Sequence, residues 1–501
     1  MSLNIVRLIL VVLAHAILAS SSAHAEDADP KRCKYRLLGS LPLRYHGSSM
    51  GVTTEGNING VPAVLLVDTG AYDTKLTRFA TDKRDMHLGP TFMQARGIGG
   101  STRLYQTRVK NFDVGPIKSE GRGAMLVIDE MGRRPSFDAI VAANFLLQLD
   151  LEVSLAEKKI KFFEPNNCRD TFLGYWDAEA VAVPLEFRST APQPMIDVEI
   201  DGLKLRAMID TGAGRTIISL PALKKLGLTA DSPGMTAMSD GAGVGGKLAR
   251  SFSYRFKQFS VGSEMIQNPE ISVGDFELEG FDMLLGNDFM RSHRILLASS
   301  QNKVYLSYIG GPPFSTGKQE DWIQKEAEEG NADAQYHLAM ALRGAPAQAQ
   351  AWLDKAIAQG NPLALRQQAL RLERTGRVAD ALPLYERALE SDPLDLLAQL
   401  DMFSMRVRAG QAAQANEALI AILKRQRDDA WPRPIADYFV GKMTLDALLK
   451  EARDDKNYVR RRQCEVYRYA GRLLAARGDA PGAADFDAKS ASDCRGSLAG
   501  R

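Results

Sequence analysis

Two tetrapeptides repeat along the chain, Asp68-Thr69-Gly70-Ala71 and Asp210-Thr211-Gly212-Ala213, each behind an apolar, strand-like run, VPAVLLV and LKLRAMI. A pair of carboxyls delivered by equivalent loops can do a specific chemistry. Facing each other they share a proton, so that one takes a proton from water while its partner donates to a substrate carbonyl. A lone Asp-Thr-Gly is common in turns and carries little weight. The pair is informative because its surroundings repeat with it.

The two Asp residues lie 142 positions apart (210 − 68), and the turn pairs Asn59-Gly60 and Asp201-Gly202 keep the same offset. Asn-Gly and Asp-Gly between extended runs signal tight hairpins, because both central residues tolerate positive φ. Each copy therefore reads strand, tight turn, strand, reactive loop. Further on, Gly97-Ile98-Gly99-Gly100 matches Gly243-Val244-Gly245-Gly246, and Phe112-Asp113-Val114-Gly115 matches Phe259-Ser260-Val261-Gly262. FDAIVAANFL from Phe137 matches FDMLLGNDFM from Phe281. The small drift in offset places insertions in loops, as a duplicated domain would.

The paired loops, the glycine-rich segments and the apolar-apolar-Gly run Leu284-Leu285-Gly286 together resemble the retropepsin-like aspartic proteases of the pepsin and retropepsin clan, over both lobes of the chain. The resemblance implies two all-β lobes forming a pseudo-dimer, within one chain or with the equivalent lobe of a second chain. It makes Asp68 and Asp210 the catalytic dyad, which of them is acid and which base being left open. Thr69 and Thr211 would bond across to the opposite loop, and Gly70 and Gly212 would let the two backbones approach. Gly97, Ile98, Gly99 and Gly100 would form the tip of a flap over a bound peptide, with Gly243, Val244, Gly245 and Gly246 as its counterpart. Copy one departs from the pattern, reading Ile140-Val141-Ala142 where a glycine is expected beneath the loop. Ala71 and Ala213 stand where pepsin-like enzymes carry serine. Without those hydroxyl donors the charged carboxylates lose support, which predicts raised dyad pKa values and a mildly acidic optimum.

The length of 501 residues suits two lobes and one more module. With 63 basic against 61 acidic residues there is no charge excess to draw nucleic acid. The densest basic run, Arg460-Arg461-Arg462, reads as a solvated helix face. At the N-terminus, Arg7, the apolar stretch LILVVLAHAIL and Ala23-His24-Ala25 read as a signal peptide over residues 1–25. The stretch is short for a membrane span, so export without stable membrane insertion is expected, to the periplasm in a Gram-negative source. Four cysteines in an exported chain invite pairing. Position favours Cys33 with Cys168, bracketing lobe one, and Cys464 with Cys494, flanking Gly478. Six scattered histidines and no Cys-x-x-Cys imply neither metal nor cofactor. Gly241-Ala242-Gly243-Val244-Gly245-Gly246 fits a dinucleotide fingerprint but runs into an alternating, strand-like segment. Gly47-Ser48-Ser49-Met50-Gly51 fits a nucleophile elbow but leads to a hairpin, and reads as a turn.

These signals divide the chain into lobe 1 at 33–165, a linker at 166–180, lobe 2 at 181–312 and a helical region at 318–497. In the last, Gly376, Gly410 and Gly478 are spaced by 34 and 68 residues and each precedes an alanine by five, at Ala381, Ala415 and Ala483. With the repeated Gly-Asn at 330 and 360, this resembles a tetratricopeptide-type all-α solenoid, which implies a concave surface for a protein partner. The expected function is an exported aspartic endopeptidase acting on peptide or protein substrate. The rival is a non-catalytic peptide-binding scaffold on a protease-like fold.

Overall fold

The structure is a computed structural model and describes residues 32–188, 191–277, 279–314, 321–342, 344–425, 431–454 and 459–494. The expected signal peptide lies outside the described residues.

In the first lobe the strands Gly51–Ile58 and Val61–Asp68 form a hairpin with Gly56 opposite Ala63. Its turn holds Asn59 at φ 54° and Gly60 at φ 84°, the positive pair that a two-residue turn demands. Along Val61–Asp68 the side chains alternate: Leu65 and Val67 enter the main core, while Leu66 joins a separate cluster with Ile140 and Ala142. The strand Ala139–Ala142 runs parallel to it and sets Ala142 opposite Asp68. Lobe 2 repeats the arrangement, with Asp201 at φ 50°, Gly202 at φ 82° and Leu203–Ile209 parallel to Met283–Leu285.

A six-stranded sheet joins the lobes. Lobe 1 supplies Lys34–Pro42, Lys159–Asn166 and Asp150–Ser154, and lobe 2 supplies His293–Ala298, Lys303–Tyr308 and Val181–Pro184. The seam is antiparallel, from Leu151 opposite Leu297 to Ser154 opposite Arg294. Glu152 is fully buried at this seam, and its charge is met by Arg294 Nη2 at 2.9 Å, Lys161 Nζ at 3.0 Å and the Tyr175 hydroxyl at 2.6 Å. A buried carboxylate persists only when so compensated. At the edge, Cys33 and Cys168 are disulfide-bonded, beside the stacked rings of Tyr35 and Phe163.

From Asp321 to Asp493 the described residues are all-helical apart from their turns. Gly330, Gly360, Gly376, Gly410 and Gly478 all stop helices at positive φ. Asn331 and Asn361 then cap the next helices, accepting from Ala334 N at 3.1 Å and Ala364 N at 2.9 Å. Ala381, Ala415 and Ala483 are buried, and Cys464 bonds Cys494. Among the described residues no helix is long and apolar enough to cross a membrane.

The helical region packs on the lobes at both ends. Near its start, Ala327, Ala334 and Leu338 share the lobes' core cluster. Asp333 accepts from Gly47 N at 2.8 Å, and Asn331 Nδ2 donates to Tyr45 O at 2.9 Å. In its middle, Arg134 of lobe 1 makes a two-point contact with Asp392 at 2.6 and 2.7 Å, and near its end Arg461 reaches lobe 1. The basic run is a partly solvated face, with Arg460 exposed, but all three side chains are also engaged. Arg461 donates to Gly132 O at 3.2 Å, Arg460 to Asp493 O at 3.1 Å, and Arg462 lies over the Trp431 ring. Guanidinium groups offer several directed donors and a flat stacking face, which a reading of charge density overlooks.

Candidate active site

Each reactive loop follows directly from a buried strand, and the two loops meet within one chain. Thr69 N donates to Thr211 Oγ1 at 3.0 Å while Thr69 Oγ1 donates to Ile209 O at 2.7 Å. The reciprocal bonds run from Thr211 N to Thr69 Oγ1 at 3.1 Å and from Thr211 Oγ1 to Val67 O at 2.8 Å. Both threonines are fully buried, so these four bonds lock each loop to the other lobe's strand.

The glycines make room for carboxylates more than for backbone. A methyl built on Gly70 would sit 2.6 Å from both carboxylate oxygens of Asp210, and one built on Gly212 would sit 2.5 and 2.7 Å from those of Asp68. Each Asp thus lies over the glycine of the opposite loop. Ala71 N donates to Asp68 Oδ1 at 2.8 Å, and Gly212 N and Ala213 N donate to Asp210 Oδ1 at 2.8 and 3.1 Å. Burial pushes Asp68 up from the ordinary carboxylate range, against the pull of the Ala71 and Asp210 hydrogen bonds. Asp210 is held well above it by burial and by the charge of Asp68. Two close carboxyls shielded from water retain one proton between them more readily than they ionise together.

Ala142 does not disturb this geometry. Its φ of −101° is close to the −99° of Gly286, so neither position needs glycine for its backbone angle. At Gly286 a methyl would meet Arg215 O at 2.5 Å and Ala213 O at 2.8 Å. At Ala142 the methyl is taken up in the cluster with Leu66 and Ile140. The loop bonds remain equivalent: Ala142 N to Thr74 Oγ1 at 3.1 Å and Gly286 N to Thr216 Oγ1 at 3.0 Å.

Above the dyad, Gly89–Gly97 and Gly100–Val114 form a hairpin whose turn is Ile98-Gly99. The segment 243–246 differs from the expected hairpin, being a loop closed by the single bridge between Gly241 and Ala249. The two tips interlock. Gly99 N donates to Val244 O at 2.9 Å and Lys247 N to Gly99 O at 3.0 Å. The crossing explains three of their glycines: a methyl on Gly97 would lie 2.8 Å from Val244 O, one on Gly99 2.6 Å from Gly245 O, and one on Gly243 2.6 Å from Ile98 Cγ1. A segment unmarked by the sequence, Glu130 to Arg134, completes the roof, with Gly245 N donating to Glu130 O at 3.1 Å and Gly132 N to Gly243 O at 3.0 Å.

Two other residues near the dyad were not singled out from sequence. Gln193 Nε2 donates to Gly70 O at 2.5 Å; nothing in its sequence context marks it. Lys75 was readable, since aligning DTGAYDTK on DTGAGRTI sets a lysine against Ile217.

Residues 54–133 match the gag-polyprotein aspartyl protease family, and residues 196–289 match the aspartyl protease family. Among solved structures, the aspartic proteinase from Irpex lacteus is 16% identical, with a TM-score of 0.35 over 56% of this chain and 98% of that one. No curated protein matches the chain. One family match falls in each lobe and each holds one Asp-Thr-Gly loop, so both lobes are similar to aspartyl protease domains.

Proposed function

We propose that the protein is an exported aspartic endopeptidase with Asp68 and Asp210 as its catalytic dyad. The observation that carries this reading is the reciprocal threonine clasp, with each carboxyl lying over the glycine of the opposite loop within one chain. A dyad sharing one proton has the two functions that amide hydrolysis needs. The ionised carboxylate takes a proton from a water as it attacks the scissile carbonyl, and the protonated carboxyl donates to the carbonyl oxygen. The tetrahedral intermediate collapses when a proton reaches the departing amine, leaving a free acid and a free amine with no acyl-enzyme. The extended peptide lies between the lobes beneath the tips at 97–100 and 243–246. Two disulfides support an oxidising compartment, in keeping with a periplasmic address, and the helical region is assigned to binding a protein partner as a tetratricopeptide-type array.

The test is cleavage of a peptide library by the wild type and by Asp68→Asn and Asp210→Asn. Cleavage by the wild type alone supports the reading. Equal cleavage by all three sinks the two-carboxylate mechanism.

A further inference from the structure

The two walls of the cleft match position for position until one residue breaks the symmetry. In lobe 1, Leu66 pairs with Ile140 in parallel register and Ile140 pairs with Lys75 in antiparallel register. Residues opposite one another in neighbouring strands point to the same face, as do residues two apart along one strand. Leu66, Asp68, Ile140, Ala142 and Lys75 therefore share a face. Lobe 2 repeats the set as Met208, Asp210, Leu284, Gly286 and Ile217. This face is the wall beneath the tips. Ile98 packs with Met208, Leu284 and Ile217, while Val244 packs with Leu66, Ile140 and Ala142. Four of the five positions pair like with like, and the fifth sets an ammonium against an aliphatic side chain.

Lys75 is largely enclosed, its side chain 12% exposed. Its ammonium donates to Asp73 O at 3.2 Å and lies 3.6 Å from the Asp73 carboxylate, beyond good hydrogen-bond range. That carboxylate is itself engaged by Asn144 Nδ2 at 3.3 Å and is a third exposed, so water screens it. An ammonium has three donors, and Asp73 engages at most two of them, one through its carbonyl and one through its long carboxylate contact. Burial pulls Lys75 below the usual lysine range, opposed by the charge and side-chain hydrogen bonding of Asp73 and by the charge of Asp68. A cation that is partly desolvated and incompletely bonded gains from an anion delivered by a ligand.

We propose that Lys75 makes the cleft select a peptide with an acidic side chain against the lobe 1 wall, and an apolar one against the lobe 2 wall where Ile217 stands. The proposal rests on the endopeptidase reading and gives that site a substrate class.

A fluorogenic peptide library with Glu, Gln, Leu or Lys in turn at each position around the scissile bond tests it on the full-length protein. The wild type is expected to favour Glu over Gln and Leu at one position, by on the order of tenfold to a hundredfold in kcat/KM, the scale of a partly buried charge pair. Lys75→Arg keeps that preference. Lys75→Ile, which copies the lobe 2 residue, moves it to Leu. A wild type indifferent to Glu, or a Lys75→Ile protein slowed equally on every peptide with preference unchanged, overturns the proposal and leaves Lys75 a neighbour that only tunes Asp68. The affinity of the same peptides for Asp210→Asn, read by fluorescence anisotropy, separates the two readings. Glu-selective binding with no cleavage by the wild type overturns the endopeptidase and keeps the acidic subsite. Cleavage without Glu preference does the reverse.

Discussion

The threonine clasp makes a prediction that can be worked from its geometry. In Thr211→Val the shape of the side chain is kept and its hydroxyl is lost. Thr69 N, buried and bonded to Thr211 Oγ1 at 3.0 Å, is left without that acceptor, and Val67 O loses a donor at 2.8 Å. An unsatisfied buried amide costs about 1–3 kcal/mol and the lost donation about 1 kcal/mol, so the clasp should weaken by about 2–4 kcal/mol. At 1.4 kcal/mol per factor of ten, the opening that exposes the Thr69 amide becomes roughly 30-fold to several-hundred-fold more frequent. Hydrogen exchange of the segment around Thr69, followed by mass spectrometry, reads this directly. Thr211→Ser keeps the hydroxyl and forfeits one methyl, about 1 kcal/mol, so its exchange should stay much closer to the wild type. Activity should follow the same order, because a displacement of the dyad by about 1 Å is enough to cost on the order of a hundredfold in rate. If Thr211→Val exchanges and cleaves like the wild type, the clasp does not hold the dyad.

The raised dyad sets a pH dependence of stability. Between the ordinary carboxylate pKa and the raised native values the folded protein binds more protons than the unfolded chain, so the dyad's stabilisation is complete below about pH 4 and is lost as pH rises through the native values. Asp210→Asn removes the charge clash, and calorimetry should show its Tm gaining on the wild type between acidic and neutral pH; a constant gap would contradict the shared proton. In Gly245→Ala a side chain is forced onto φ 101° and within 2.6 Å of Gly100 O, and the strain, on the order of 1–3 kcal/mol, should separate the tips and speed exchange at both 97–100 and 243–246. Unchanged protection there would show that the tips do not depend on this crossing. Asp392→Ala deletes the two-point partner of Arg134 and should raise exchange in 130–134 while leaving the Thr69 amide as protected as before; equal loosening of both would point to a general defect.

What was legible in the sequence is local in origin. The Asn59-Gly60 and Asp201-Gly202 turns show because they need positive φ, and the helix stops at Gly376, Gly410 and Gly478 show for the same reason. The cysteine pairs were favoured by their positions and both are bonded. What was not legible depends on distant partners. The seam from Leu151 opposite Leu297 joins segments whose apolar patterns fit many neighbours. The glycines of the tips suit bending over a peptide, yet Gly97, Gly99, Gly243 and Gly245 also face the opposite tip. The pattern places a glycine at both Ala142 and Gly286, but only one of the two positions requires it. The requirement belongs to the neighbouring loop: Arg215 O and Ala213 O crowd Gly286, while the methyl of Ala142 lies against Leu66 and Ile140.

In the endopeptidase proposed above, a substrate reaches the dyad beneath the two tips. Admitting a peptide beneath the tips breaks the bonds of Gly99 N to Val244 O, Lys247 N to Gly99 O, Gly245 N to Glu130 O and Gly132 N to Gly243 O. With water replacing each partner, the net loss is about 1 kcal/mol per bond, so the roof opens at a cost of about 4 kcal/mol before any peptide contact forms. A bound peptide offsets this by giving the tips new backbone partners, which makes affinity depend on extended length as well as side chains. The roof is also not the lobes' own affair. Gly132 donates to one tip through its N–H while its carbonyl accepts from Arg461, and Arg134 two residues on is held by Asp392. A single short segment thus carries bonds to the tip on one side and to the helical region on the other. Under the proposed function, a shift of Asp392 or Arg461 would act on the two roof bonds that this segment makes, Gly245 N to Glu130 O and Gly132 N to Gly243 O.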